Sequence, residues 1–376
     1  MILRICGMGW VTPLGSGVDP VWQRLLHGDE GQPEQIKDQF SERSYCVFRV
    51  PDSALTALPP HPRLRRASAI SRFAAAAGLE ALNDAGISVD SERTKRTALV
   101  FAISNGGVIY TKRFYRDIVE SGAQSASPLL FPETVFNAPA SHLAAILGIT
   151  GATYTLVGDG AVGVLAVRMA EDLMRGGEFD YCLLVGAEEA DWLLCDAYRK
   201  WRLARSRPPV EPFGQSPRGT IVSEGAGAIL LAREGPISID KTDAGGYYAN
   251  REALKCVVRQ TISNLVETKI DIVVSSANGT FIDGAESEAI SEYSPDALVY
   301  TAKPALGESV GASGLWQIIV AAKALLTQEL PPLLHVKSAA SLRVSPSRTG
   351  LGAGRHALVL SCGMNQQVAG IRLGVR

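Results

Sequence analysis

Apolar residues cluster along this chain in short runs separated by longer segments with helical spacing. Residues 97–104 form a continuous apolar run, and residues 181–186 and 226–231 form two more. Such runs are typical of strands covered on both faces. The alanine-rich segment 66–85 ends at Gly86 and predicts a helix. We therefore expect alternating strands and helices, an α/β fold with covered sheets.

The same alternation extends over the whole chain. Further strands are predicted at residues 1–8, 270–275, 356–361 and 367–373. Further helices are predicted at residues 141–147, 161–174, 251–266 and 313–326. Only the Pro/Arg-rich stretch 205–212 and the Asp/Gly-rich stretch 240–246 interrupt the pattern. The alternation resumes after each of them.

A weak internal duplication suggests two halves. Gly158-Asp159-Gly160 precedes one apolar helix, and Gly307-Glu308-Ser309 precedes another in the second half of the chain. Each follows a strand-like run. We expect an N-terminal half at residues 1–236 and a C-terminal half at residues 237–376.

Composition excludes several classes of protein. The chain has 376 residues, of which 46% are hydrophobic and 20% charged, so disorder, collagen and coiled coil are ruled out. A net charge of −1 argues against a nucleic-acid partner held by phosphate contacts. No apolar run approaches the ~18 residues of a membrane span, and the first residues lack the pattern of a signal peptide. We expect a cytoplasmic protein.

The six cysteines form no CxxC pair, so neither a zinc ribbon nor a thioredoxin-type motif is predicted. Cys182 and Cys195 fall in or after a predicted core strand. Buried thiols of this kind are unreactive, and we expect both to be inert. No metal site is predicted.

Several short motifs, taken in order, resemble those of the β-ketoacyl synthases of the thiolase-like superfamily. The resemblance covers nearly the whole chain. Its motifs lie within residues 7–15, 127–137, 186–188, 212–227 and 303–314. It implies a thiolase-like fold, with two pseudo-symmetric βαβαβαββ halves in a five-layered αβαβα arrangement. It also implies a cysteine nucleophile at a helix N-terminus and two histidines that stabilise an enolate.

The chain departs from that family at all three catalytic positions. Matching the motifs places Gly160 at the nucleophile, Asn278 at the first histidine and Glu308 at the second. Lys303 is retained. Glycine has no side chain that can form an acyl-enzyme, and a carboxylate would repel a malonyl carboxylate. The resemblance therefore predicts no catalytic residue of this chain's own.

Such a degenerate member resembles the chain-length factors of type II polyketide or aryl-polyene systems. The resemblance implies a pseudoenzyme subunit in a heterodimer with an active ketosynthase paralogue, formed through a central strand and residues 127–140. An acyl carrier protein would bring the growing chain on its phosphopantetheine arm, and this chain would need no cofactor of its own. Its contribution would be steric, because it would close the far end of the acyl tunnel.

Individual residues allow more than one interpretation. Asp159 and Glu308 are candidates for acid–base chemistry on an acyl thioester, although acids near helix N-termini also cap helices. Lys303 is expected to form a structural salt bridge with Glu308 or Glu286. The remaining pocket or tunnel candidates are Thr280, Ile282, Phe136 and Met364. A homodimeric scaffold protein is the other alternative, and the basic runs 61–66 and 200–207 are either carrier-docking surfaces or solvated faces.

Overall fold

The computed structural model describes residues 2–38, 40–337 and 341–375. Ten strands build the main sheet. They are β1 (Arg4–Thr12), β2 (Thr97–Ile103), β3 (Thr153–Val157), β4 (Tyr181–Glu188), β5 (Gly225–Ala232), β6 (Ile237–Tyr247), β7 (Ile272–Val274), β8 (Leu298–Tyr300), β9 (His356–Cys362) and β10 (Gln367–Val375).

The longer helices connect these strands. They are α1 (Val18–His27), α2 (Ala69–Asp84), α3 (Val108–Ser121), α4 (Ala138–Leu147), α5 (Val162–Arg175), α6 (Trp192–Lys200), α7 (Arg251–Leu265), α8 (Ile282–Tyr293) and α9 (Val310–Thr327). Short strands add Gly15–Ser16, Pro33–Lys37, Ser44–Phe48, Val222–Ser223, Glu329–Leu330 and Thr349–Gly350. Single helical turns occur at Asp52–Leu55, Pro62–Leu64, Glu92–Lys95, Ala123–Ser125, Phe131–Thr134 and Lys303–Leu306.

The strand order confirms the two predicted pseudo-symmetric halves. The first half runs β1-β5-β4-β2-β3 and the second runs β6-β10-β9-β7-β8. In each half, neighbouring strands are antiparallel among the first three of this order and parallel among the last three. A short antiparallel pairing of β1 with β6 joins the halves at Ile5 and Ile237. Both halves therefore have the topology βαβαβαββ.

The helices complete the five layers. The α2 and α4 helices pack on the outer face of the first half, and their side chains share one core cluster with β2, β4 and β5. The α7 and α8 helices cover the outer face of the second half, and α5 and α9 lie between the two halves. The thiolase-like αβαβα fold expected from the resemblance is thus present.

Glycines permit the closest contacts between layers. A Cβ on Gly163 of α5 would lie 2.9 Å from the backbone nitrogen of Leu315 in α9. A Cβ on Gly7 or Gly9 of β1 would lie within 2.2 Å of a backbone oxygen of α2. Real Cβ atoms do not approach backbone atoms so closely, so these positions require glycine for packing.

One predicted interruption is in fact a strand. Residues 240–246 lie within β6, the longest strand of the sheet. Asp and Gly are disfavoured in strands, which is why the composition indicated an interruption. Here β6 starts at the buried Ile237 and its outer half is half-buried or exposed, so polar residues are tolerated. The sequence also missed strands β3 and β8, helices α1, α3, α6 and α8, and the full extent of the first strand.

One described helix, α9, is long and apolar enough to cross a membrane, and 83% of that window is buried inside the protein. Helix α5 and the strands of both halves surround it. Its apolar composition is therefore explained by its place in the core.

Candidate functional site

Gly160 lies in the turn between β3 and α5. A Cβ at this position would meet Gly363 Cα at 3.4 Å and the Cys362 carbonyl oxygen at 3.5 Å, and its φ is not left-handed. Those are ordinary contacts, so neither the backbone nor the packing requires glycine here. Glycine itself offers no side chain that could act as a nucleophile.

The nearby thiols do not replace it. Cys182 lies in β4 and Cys195 in α6, and both are fully buried. Burial raises the pKa of each thiol to about 12. A protonated, inaccessible thiol is not a nucleophile.

Glu308 is the centre of a buried polar network that includes Asn278 and Lys303. Asn278 Nδ2 donates to Glu308 Oε2 at 2.7 Å, and Lys303 Nζ donates to Glu308 Oε1 at 2.6 Å. Ser313 Oγ also donates to Oε1, at 2.7 Å. The Thr280 hydroxyl and its backbone N–H both donate to Asn278 Oδ1. The carboxylate is thus held by two neutral donors and one ammonium group.

The expected salt bridge of Lys303 therefore forms with Glu308 rather than Glu286. Both side chains are about 95% buried. Burial lowers the pKa of Lys303, and the neighbouring Glu308 opposes that change. Glu286 instead binds the Ser275 and Ser276 hydroxyls. A buried pair of this kind is costly to break, because either partner alone would be an uncompensated charge.

Asp159 belongs to a different set of contacts. Its carboxylate accepts the backbone N–H of Asn365 at 2.9 Å and that of Ala161 at 3.3 Å. Burial raises the pKa of Asp159 to about 6, and the charge of Glu308 adds to this increase. No hydrogen bond joins Asp159 to Glu308 among the described residues, so the two carboxyls do not form a dyad.

A cleft of about 840 Å³ opens beside Asp159. Its walls come from α6, the end of β3, the end of β6 and the segment that joins β9 to β10. Asp159 is its one carboxyl group and Arg251 its one cationic group, and the described lining residues include no cysteine or histidine. Among its other wall residues are Asn105, Val157, Tyr198, Trp201, Tyr247, Phe281 and Met364.

Two of the five predicted pocket residues, Asp159 and Met364, line this cleft. Thr280 does not, because its hydroxyl is turned to Asn278. Ile282 does not, because the first turn of α8 buries it in the core. Phe136 lies on the surface, where its ring packs on Gly106. In this chain these three are therefore not cleft residues.

The aromatic wall of the cleft was not predicted from the sequence. Tyr198 and Trp201 come from the C-terminal end of α6, and Tyr247 ends the strand whose Asp/Gly-rich stretch was expected to interrupt the alternation. The guanidinium of Arg251 lies 4.8 Å from the ring centre of Phe281, within range of a cation–π contact. An alternating pattern at Ile237-Ser238-Ile239 was the one signal that pointed to β6.

A broad apolar surface adjoins the cleft. Helix α3 has no buried residue along its 14 positions, and β3 is the edge strand of the sheet. We call this surface the α3–β3 face. Its exposed large apolar residues are Tyr115, Val119, Leu129, Phe131, Val135, Phe136, Tyr154 and Val157.

Comparison with known proteins decides the family. The chain matches the sequence profile "Beta-ketoacyl synthase, N-terminal domain" over residues 3–235 and the profile "Beta-ketoacyl synthase, C-terminal domain" over residues 237–337. The chain belongs to the β-ketoacyl synthase family.

Its relatives include enzymes. It is 24% identical over 365 residues to 3-oxoacyl-[acyl-carrier-protein] synthase 2 of Vibrio harveyi, with 88% of each chain covered. It is 27% identical over 233 residues to nodulation protein E of Rhizobium leguminosarum bv. trifolii, with 60% of this chain and 57% of the relative covered.

Solved structures of ketosynthases share the fold. The ishigamide ketosynthase/chain length factor has a TM-score of 0.86 at 20% identity, with 100% of this chain and 99% of the other covered. A β-ketoacyl synthase from Burkholderia phymatum STM815 has a TM-score of 0.85 at 19% identity, with both chains fully covered. A type II polyketide ketosynthase in complex with its acyl-carrier protein has a TM-score of 0.82 at 15% identity, with 100% and 99% covered.

Proposed function

We propose that this chain is the non-catalytic chain-length-factor subunit of a type II polyketide or aryl-polyene synthase. It pairs with an active β-ketoacyl synthase, shapes the acyl tunnel and sets product length during malonyl-based elongation. The observation that carries this proposal is the closed network around Glu308. The family fold is kept, while the groups at the three catalytic positions are absent or engaged with one another.

The network explains why condensation chemistry is not expected of this chain alone. An enolate needs donors that point at the developing negative charge. Here the Asn278 amide donates to Glu308, and the Lys303 ammonium does the same. Glu308 itself adds negative charge to the place where the enolate would form. With glycine at position 160, no acyl-enzyme precedes that step.

The α3–β3 face supports a partner subunit. Monomeric proteins rarely expose an apolar surface of this extent, and an uncovered edge strand is a template for pairing with another chain. Val157 belongs both to this face and to the wall of the cleft. A partner on this face would therefore close one side of the cleft, which is the steric role proposed here.

The proposed partners are inferred from the chain's membership in the β-ketoacyl synthase family. The active subunit would be a ketosynthase paralogue with its own cysteine and histidines. An acyl carrier protein would deliver the chain on its phosphopantetheine arm, as the solved complex of a type II ketosynthase with its acyl-carrier protein suggests. This chain would contribute no cofactor. The basic stretch at residues 61–66 is the proposed contact for the acidic carrier.

Native mass of the protein co-expressed with its ketosynthase paralogue is the test. We expect a stable 1:1 heterodimer. Val119→Arg, on the α3–β3 face, should abolish it, because a charge would be buried in an apolar interface. Ile2→Arg, an exposed apolar position at the start of the chain, is the matched control and should leave the heterodimer intact. A homodimer that ignores the ketosynthase would contradict the proposal and favour the scaffold alternative.

Product length tests the steric role. Val157→Trp adds bulk where the cleft meets the α3–β3 face. We expect shorter products by mass spectrometry, with the heterodimer still formed. An unchanged product profile from an intact heterodimer would contradict the role in chain length and leave only a pairing role.

One observation favours a second function. Asp159 lies in the cleft with a pKa raised to about 6 by burial, a value suited to acid–base work near neutral pH. Under this alternative the isolated protein would turn over an acyl thioester, and Asp159→Asn would abolish that turnover. If the isolated protein shows no turnover, the enzymatic alternative is excluded and the subunit role remains.

A further inference from the structure

A second, smaller pocket lies across α6 from the cleft and has a volume of about 170 Å³. Its walls come from the strand Ser44–Phe48, from α6, from residues 204–206 and from the strand Val222–Ser223. We call it the arginine-rimmed pocket. Neither the catalytic positions nor the cleft contributes to it, so the proposed function does not explain it.

The inner wall of the arginine-rimmed pocket is apolar. It consists of the buried Tyr45, Cys46, Cys195 and Val222. Burial raises the pKa of the Cys46 and Cys195 thiols, so both sulfurs are neutral and behave as small apolar groups. The inner wall therefore suits a hydrocarbon group.

Its rim is cationic. Arg43, Arg199 and Arg205 all line the pocket. Five basic side chains form ion pairs around the mouth, namely the three arginines, Lys200 and Lys337. Among the described residues, their partners in these pairs are two carboxylates, Asp196 and Glu211. Adding the nearby Asp38, which is held by Phe40 and Ser41, still leaves more positive than negative charge. Arg43 forms a long ion pair of 3.9 Å with Asp196 and is more than half exposed, so much of its guanidinium remains accessible to an anion.

A buried hydroxyl in the wall also lacks a partner. Thr220 is fully buried, and its Oγ1 has no hydrogen-bond partner among the described residues. Its backbone is satisfied, because its N–H donates to Leu203 and its carbonyl accepts from Arg205, each at 2.7 Å. An unsatisfied buried hydroxyl is unfavourable. A ligand oxygen that reaches it would remove that penalty.

We propose that the arginine-rimmed pocket binds a small monocarboxylate with an apolar body of about the size of a benzene ring. A cavity of ~150 Å³ holds benzene, and this pocket is slightly larger. The guanidinium fork matches a carboxylate with two parallel hydrogen bonds. Acyl chains and nucleotides are too large for this volume.

Binding of benzoate to the purified protein, measured by calorimetry, is the test. We expect saturable binding. Benzyl alcohol, which keeps the ring but has no charge, should bind at least ten-fold more weakly, and so should inorganic phosphate, which has charge but no apolar body. Arg43→Gln should weaken benzoate about two- to five-fold, the effect of an exposed ion pair. No saturable binding up to about 10 mM, or equal binding of benzyl alcohol, would overturn the proposal.

The site is located by two variants and a crystal soak. Ala204→Phe fills the arginine-rimmed pocket and should abolish benzoate binding, whereas Ala197→Phe, on the cleft side of α6, should leave it unchanged. An anomalous peak from 4-bromobenzoate should lie beside Arg43 and Thr220, and this readout does not depend on the folding of either variant. A peak in the cleft alone, or binding lost only in Ala197→Phe, would refute the assignment.

Discussion

At the scale of single residues, the backbone does not require glycine at position 160. Gly160 has room for a side chain, whereas the Glu308 carboxylate accepts hydrogen bonds from Asn278 and Lys303. That Gly160, Asn278 and Glu308 occupy the family's three catalytic positions stays a prediction from the sequence. The sequence did not predict that two of these residues would bind one another, because Asn278 and Glu308 are 30 positions apart.

The first prediction concerns restoring the nucleophile. Gly160→Cys should fold, because its Cβ meets its neighbours at no less than 3.4 Å. The new thiol should react with iodoacetamide faster than the buried Cys182, yet the protein should form no condensation product, because Asn278 and Glu308 cannot stabilise the enolate. Peptide mass spectrometry and a malonyl condensation assay measure the two outcomes. Condensation by this single variant would refute the account of the network.

The second prediction concerns the buried ion pair. Glu308→Gln should lower the free energy of unfolding by about 3–5 kcal/mol, because it leaves the Lys303 ammonium buried without a counter-charge. The double variant with Lys303→Met should lose less than the sum of the two single variants. Urea unfolding gives the free energies.

A surface pair provides the control for that cycle. Lys255 and Glu288 lie 3.0 Å apart and are both more than one-third exposed, so Lys255→Met should change stability by at most about 1 kcal/mol. An additive result at Lys303 and Glu308 would mean that the two charges do not depend on each other.

At the scale of secondary structure elements, the contact of α5 with α9 fixes the central layer. The sequence predicted both helices, since each is an apolar run of regular spacing. Their separation was not predictable, because it depends on two glycines that meet only when the two halves associate. Gly163 and Gly314 lie against each other across this contact.

The third prediction tests that contact. Gly163→Ala should lower the free energy of unfolding by about 1–3 kcal/mol, because the added methyl group would meet the backbone of α9 at 2.9 Å. Gly284→Ala in α8 is the matched control. Nothing lies within 4 Å of its Cβ, so the higher helix propensity of alanine should stabilise the protein by up to about 1 kcal/mol. Equal effects of the two changes would contradict the close packing of α5 and α9.

At the scale of the whole molecule, burial rather than pairing controls several acidic groups. Burial raises the pKa of Asp159 to about 6, of Glu188 and Asp283 to about 7 and of Glu189 to about 8. Nearby carboxylates, Glu224 first, add to the increase at Glu189. The folded state therefore holds protons that the unfolded chain has already released.

The fourth prediction follows from that difference in proton binding. As pH rises from about 4.5 to 8, the unfolded state binds fewer protons than the folded state, so the free energy of unfolding should fall. Glu189→Gln removes the group with the highest of these pKa values and should flatten the decline. The variant should be close to wild type near pH 5 and exceed it by roughly 3–4 kcal/mol at pH 8. Urea unfolding across this range gives the slopes, and identical slopes would contradict the raised pKa of Glu189.

From the sequence alone, most of the strands and helices and the two related halves could be predicted, while the absence of the family's catalytic side chains stays a prediction. These depend on residue identity and on spacing along the chain. The tertiary structure decided which carboxylate pairs with Lys303, which residues wall the cleft and which apolar residues stay exposed on the α3–β3 face. Those features depend on distances between residues far apart in sequence, and only the association of the two halves fixes such distances.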